Sequence, residues 1–538
     1  MREARAMVGK GGIAGACAAV AAISLVSACG DPGRVDAGAD ESVSLTLAAA
    51  GPVENFHPAA GYGRAGVSPV YDGLLRPDPV DGGDVIPDLV PALAAADPEA
   101  NPAADEWTVT LREGVTFHDG SAFDAADVKA TYDVARDAGR GSAVSGDYDL
   151  IDDVVIVDDH RVTFRLSHPY GDFRSRLTLA IAPSEFVGQG TVADGPLASR
   201  PVGTGPYEVT ERTGDLTRYT ARDDHWAGRP RVGEILVTVV ADDAARAGRV
   251  ASGEIDGAGV PASVATGMGE RGGTTVVTAV SADWRAISLP DHPFLEDPDV
   301  RRALNLAVDR DAMVAGPLSG HGRPISTAIP EIFGDAHDPG AVYDHDPAEA
   351  ERILDDAGWR VGADGVREKD GVRAEIPLYH PADDTQRRDL GMEFSAQMER
   401  IGVSFPTRAS TWDDITPRLG EVAAVLGGGE APWDPDQMSR DLFHTREAGT
   451  SAYANPGDHG SAELDAVIDE ARRTLDDADR ARLYREAQRL YLENPSSIFL
   501  ATVDHAYLVS GDTAPPILEP HIHGEIWGPW WDLRSWPT

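Results

Sequence analysis

Two stretches of this chain carry residue types at spacings that suggest chemistry. In His521-Ile522-His523 the two imidazoles would share one face of a strand, because side chains two apart point the same way, and paired imidazoles are the start of a zinc or nickel site. Two ligands do not close such a site. The neighbouring EIWGPWW reads as packing, and the fifteen histidines are otherwise scattered without metal-ligand spacing, so no metal is assigned. In PVGTGPYEV, Gly203, Gly205 and Pro206 resemble a phosphate-cradling loop only superficially. Their spacing is neither that of a dinucleotide fingerprint nor that of a P-loop, no Lys-Ser/Thr follows, and the stretch reads as a turn. No Gly-x-Ser-x-Gly elbow is present, and Cys17 and Cys29 are the only cysteines, so the body has no thiol nucleophile. The chain reads as a non-enzyme without a cofactor.

The cysteines belong to a different chemistry. Arg2, Arg5 and Lys10 precede the apolar run GGIAGACAAVAAISLVSACG, which has the basic start and the length of an export signal. Val26-Ser27-Ala28-Cys29 resembles the bacterial lipobox, in which cleavage before the cysteine frees a thiol for diacylglycerol. Residues 1–28 are therefore expected to be a lipoprotein signal peptide, with Cys29 lipidated and residues 29–42 a Gly/Asp/Ala tether to the membrane. No second run reaches the roughly 20 apolar residues that a spanning helix needs.

Charge excludes one class of partner. Asp and Glu number 89 against 47 Lys and Arg, a formal charge of −42, which repels nucleic acid phosphates. The acids are spread along the whole chain, which argues for a solvated surface and not for a site. At 538 residues the chain is long enough for two large cores.

Short alternating stretches read as strands: VSLTLAAA from Val43, WTVTLREGV from Trp107, VTFRLSHP near Val162 and EILVTVVA near Glu234. Amphipathic helices lie between them, so the class is mixed α/β. Asp297-Pro298 starts a helix whose apolar stripe is Val300, Ala303, Leu304, Ala307 and Val308. Asp346-Pro347 starts another that stops at Gly358, and residues 463–494 read as a helical pair broken near Asp476.

Leu111 to Asp133, LREGVTFHDGSAFDAADVKATYD, resembles the signature of the bacterial extracellular solute-binding proteins of family 5, which serve dipeptide, oligopeptide and nickel importers of the ABC class. VYDGLLRPD, IPDLVPALA, PVGTGPYEV, SGEID and the Asp-Pro-Asp at Asp434 follow in the family's order. The resemblance implies a two-lobe periplasmic-binding-protein-like fold of the large cluster C type, with a hinge and an interlobe ligand cleft. Lobe I would span 43–283 with 501–538 returning to it, and lobe II 284–500. The hinge crossings are expected near Ala279–Ile287 and Ser497–Val503. It also implies permease and ATPase partners, a peptide or peptide-like ligand, and a monomeric receptor.

The same resemblance suggests ligand contacts. Peptide-binding members place an acid three positions ahead of the Asp-Pro, where this chain has Ala431, and the nearest acid is Glu430. APWDPD is instead similar to the Ala-Pro-Tyr-Asp-Pro of nickel-chelate binders, which gives Trp433 the place of an aromatic wall and keeps a chelated metal open as the alternative ligand. The arginine those binders place just ahead of the segment matching IAPSEF is missing at Leu177, Thr178 and Leu179. Tyr62, Arg64, Arg140, Trp284 and His444 complete the candidate contacts. A signalling or chaperone module on the same fold remains open, since fold alone does not give function.

Overall fold

Val43–Ala49 becomes the central strand of a seven-stranded sheet, pairing parallel with Val232–Val239 on one side and Gly257–Val260 on the other. The strand order is 274–279, 505–510, 257–260, 43–49, 232–239, 216–221, 207–212. A second sheet of six strands runs 322–324, 497–503, 284–288, 423–428, 378–381, 407–410. The computed structural model describes residues 43–78, 86–269, 273–429, 433–446, 450–511 and 527–532. The leader, Cys29, the tether, Glu430, His521 and His523 lie outside these.

The sheets share no strand, and each covers its own core. Ile287, Leu304, Phe394 and Ile498 pack together with the six-stranded sheet, while Tyr71, Tyr207, Tyr219 and Trp527 pack with the seven-stranded one. Every residue of Ser497–Val503, Ser497 and Thr502 included, is buried, because the strand lies between two partner strands. The chain leaves the seven-stranded sheet after Ala279 and enters the other at Trp284, and it returns between Val503 and His505, so only short extended links join the two lobes.

A four-stranded antiparallel sheet, ordered 99–100, 106–110, 161–166, 151–158, carries the signature segment. Gly114 (φ 75°) and Gly120 (φ 85°) take the left-handed turns, and Asp124 caps Ala125–Ala135 by accepting from Ala126 N at 2.7 Å. Asp127 closes the box by accepting from Asp124 N at 2.9 Å. The strand that leads into this segment ends at Thr110, and Leu111 makes a single isolated bridge with Ala94.

The stretch from Asp297 to Val314 forms two helices, Pro298–Leu306 and Arg310–Ala315. Asp309, just past the apolar stripe, starts the second helix by accepting from Ala312 N at 2.9 Å. Asp346 and Asp476 cap Pro347–Asp356 and Asp477–Glu493 as their sequences suggest. Among the described residues no helix is long and apolar enough to cross a membrane.

Candidate functional site

The lobes enclose a cleft of about 380 Å³. Arg64 and Asp147 reach it from the first lobe, 3.6 Å apart. The second lobe supplies Trp284 and Gly427–Gly429 from paired strands, Gln437 and Asp441 from the helix Asp436–Phe443, and Arg387, Trp412 and Tyr453 around the rim. Three aromatic rings and charges of both signs therefore face one hollow.

Two glycines make that wall possible. A Cβ on Gly427 would lie 2.6 Å from Arg387 Nη2 and 2.7 Å from Arg285 Nη1, and one on Gly428 would lie 2.6 Å from the Trp284 ring. Glycine within a strand marks a close approach, and here arginine and indole lie flat across bare backbone. Arg387 is held by Asp384, whose Oδ2 accepts from Nη1 at 2.5 Å, and stacks over Trp412 at 5.6 Å. Burial, and then Arg285 beside it, lower its pKa. Burial pushes the Asp441 carboxyl up to about 6; the hydrogen bond from Gln437 Nε2 at 2.9 Å opposes this and Asp147 adds to it. Arg387 and Trp412 also border a second hollow of about 720 Å³ that includes Asp283, Arg285 and His505 beside the links between the lobes.

Beside the cleft the lobes meet in a polar seam. Tyr170 Oη donates to Asp434 Oδ2 at 3.1 Å and Ser175 Oγ donates to the same oxygen at 2.6 Å. Arg176 Nη2 donates to Gln437 Oε1 at 2.8 Å, which ties the seam to the cleft helix. Asp436 pairs with Arg472 at 3.1 Å, Arg480 lies 3.8 Å from Asp172, and Gly171 N donates to Arg472 O at 2.6 Å. Burial, then repulsion from Asp434, raises the pKa of Asp172. Burial also raises that of Asp436, with Arg472 opposing.

Of the residues singled out from sequence, Arg64 and Trp284 line the cleft. Trp433 packs with Ala65 and Val67, next to Arg64 in the chain. Tyr62 lies edge-on to Phe56 and Tyr71, with ring centroids 4.9 and 6.1 Å away. Arg140 is exposed, donating to Gly188 O at 2.7 Å and lying 3.5 Å from Asp137. His444 borders a neighbouring small hollow, with Asp465 at 3.7 Å and Asp469 at 3.8 Å. Among the described residues no group of three or more metal-ligating side chains occurs.

Sequence reasoning missed Arg387, Trp412, Tyr453 and Asp441, which lie on loops and helices with no local signature. The Gly427-Gly428-Gly429 run was the one signal available. Arg176, immediately before Leu177, is buried and turned toward the second lobe.

Residues 88–450 match the bacterial extracellular solute-binding proteins, family 5 Middle. Protein XP55 of Streptomyces lividans is 35% identical over 93% of this chain and 91% of its own length. The oligopeptide-binding protein AppA of Bacillus subtilis is 25% identical over 73% of this chain and 75% of its own. The structure of NikZ from Campylobacter jejuni in complex with Ni(L-His) superposes with a TM-score of 0.78 at 24% identity, covering 92% of this chain and 99% of NikZ.

Proposed function

This chain belongs to the bacterial extracellular solute-binding proteins of family 5, and on that premise we propose that it is the receptor of an ABC importer that captures peptides or peptide-like solutes between its lobes. The observation that carries this reading is the cleft itself. A peptide presents amides, charged ends and variable side chains; the wall offers Trp284, Trp412 and Tyr453 as surfaces tolerant of different side chains, and Arg64, Arg387, Asp147 and Asp441 for charge. The oligopeptide-binding relative AppA points the same way.

The second reading, a chelated nickel or other metallophore complex, is favoured by the likeness to NikZ in complex with Ni(L-His). In either case Arg64 and Trp284 are the sequence-derived residues best placed to touch ligand, and Trp433 supports the Arg64 segment.

Native mass spectrometry of the protein purified without refolding discriminates these readings, because closed receptors retain cargo. Peptide masses are expected. Masses of nickel chelates would transfer the assignment to the second reading. No retained mass, together with no calorimetric response to a di- and tripeptide mixture or to nickel–histidine, sinks both.

The receptor works outside the cytoplasm, and Cys29 is its lipidated N-terminus, a reading supported by Val26-Ser27-Ala28-Cys29 following the apolar run. Cys29→Ser should move the protein from the membrane fraction to the soluble one. Unchanged fractionation removes the anchor from the reading.

A further inference from the structure

Tyr170 is 1% exposed and packs in a first-lobe core beside Phe173, yet its hydroxyl reaches the second lobe. Its ring lies under two guanidinium groups, Arg176 of the first lobe at 5.5 Å and Arg472 of the second at 5.2 Å. Its hydroxyl accepts from Arg176 Nη2 at 3.1 Å and donates to Asp434 Oδ2. Asp434, 2% exposed, spends that oxygen on two first-lobe hydroxyls and its other oxygen on capping its own helix through Asp436 N. The backbones touch as well. A Cβ on Gly171 would run into the Thr474 carbonyl, so the hydrogen bond from Gly171 N to Arg472 O requires glycine.

None of Tyr170, Ser175, Arg176, Asp434 and Arg472 lines the cleft. The bonds of Tyr170 and Ser175 to Asp434 and of Arg176 to Gln437 cross from one lobe to the other, so opening the hinge breaks them, and Tyr170 loses its hydrogen bond to Asp434 and its second cation. We propose that Tyr170 and Asp434 are positioning residues that form an interlobe latch, setting ligand affinity through the closed-state population without touching the ligand. The energetic reason is linkage. A ligand that binds the closed form has an apparent dissociation constant divided by the closed fraction, so every contact made only on closing tightens binding. Gln437 connects latch and cleft, because it accepts from Arg176 and donates to Asp441.

The latch rests on the receptor reading, but its test uses ligand-free protein and so does not depend on which ligand is right. Spin labels at the exposed positions Ile156→Cys and Met392→Cys, one in each lobe, report the interlobe distance in a full chain carrying Cys17→Ser and Cys29→Ser. A closed population is expected without ligand, falling about five- to tenfold in Tyr170→Phe and in Asp434→Asn, the scale of losing one ordinary hydrogen bond. A label pair within the first lobe, Ile156→Cys with Ser199→Cys, should keep its distance, which separates unlatching from loss of structure. Equal closed populations in parent and variants overturn the latch, as does a parent with no closed population. A latch that behaves as expected while no peptide or chelate binds would leave the device standing and remove the importer reading.

Discussion

One helix, Asp436–Phe443, serves two regions built on opposite principles. On the seam, Asp436 meets Arg472 and neighbouring Asp434 meets Tyr170 and Ser175, so its buried charges face partners supplied by the chain, with Arg176 Nε the atom left without a hydrogen bond or ion pair among the described residues. In the cleft, one and five residues further on, Gln437 and Asp441 face an open hollow, and Arg387, 8% exposed, has no hydrogen-bond partner at Nε among the described residues. A region that holds two bodies together pairs most of its polar groups internally. A region that receives a guest leaves some of them unspent, since buried polar groups without partners are costly until something supplies one.

The largest expected effect comes from breaking the satisfied region. Asp436→Ala strands Arg472 in a buried place, and urea unfolding should show a loss of about 3 kcal/mol, the scale of removing one partner of a buried ion pair. A loss under about 1 kcal/mol would mean that the seam is as solvated as the cleft, and the contrast between them would disappear.

A smaller effect belongs to the cleft and depends on pH. Because burial raises the Asp441 pKa to about 6, the native protein holds a proton that the unfolded chain has already released, so this group weakens folding as pH rises through the interval up to 6. The same ionisation supplies a carboxylate for a cationic ligand group. Peptide affinity measured by calorimetry should strengthen about tenfold from pH 5 to pH 7, and Asp441→Asn should flatten that slope. A slope that survives the substitution assigns the titration to another group. Asp147, Asp436 and Arg176 face Asp441 and are the first to examine.

The smallest effect sharpens the comparison by lying outside both regions. Arg140 and Asp137 are about half exposed, so Arg140→Ala should cost under about 0.5 kcal/mol and leave ligand affinity unchanged. Any binding loss would restore Arg140 as a ligand contact.

Much of the scaffold was legible because local rules govern it. Asp124, Asp297, Asp346 and Asp476 are helix caps whose side-chain oxygens find backbone amides two or three residues on, and such contacts survive in any tertiary setting. Asp309 follows the same rule, capping Arg310–Ala315 one residue past the end of the apolar stripe. In the site the pattern reverses. Arg64 and Trp284 were reachable through family order, whereas Arg387 and Asp441 became cleft residues only when strands 284–288, 378–381 and 423–428 came side by side.

The sequence by itself determined the turns, caps and strand periodicities, the family and the acidic composition, because each depends on residues close together in the chain or on composition. Tertiary structure alone decided which charges meet. Tyr170 and Asp434 are 264 residues apart and Arg176 and Gln437 are 261 apart, and no local pattern records such pairs. The physical reason is that a buried charge is tolerated only where its partner arrives, and partners brought by different lobes are set by the packing of whole sheets and not by any segment's own preference.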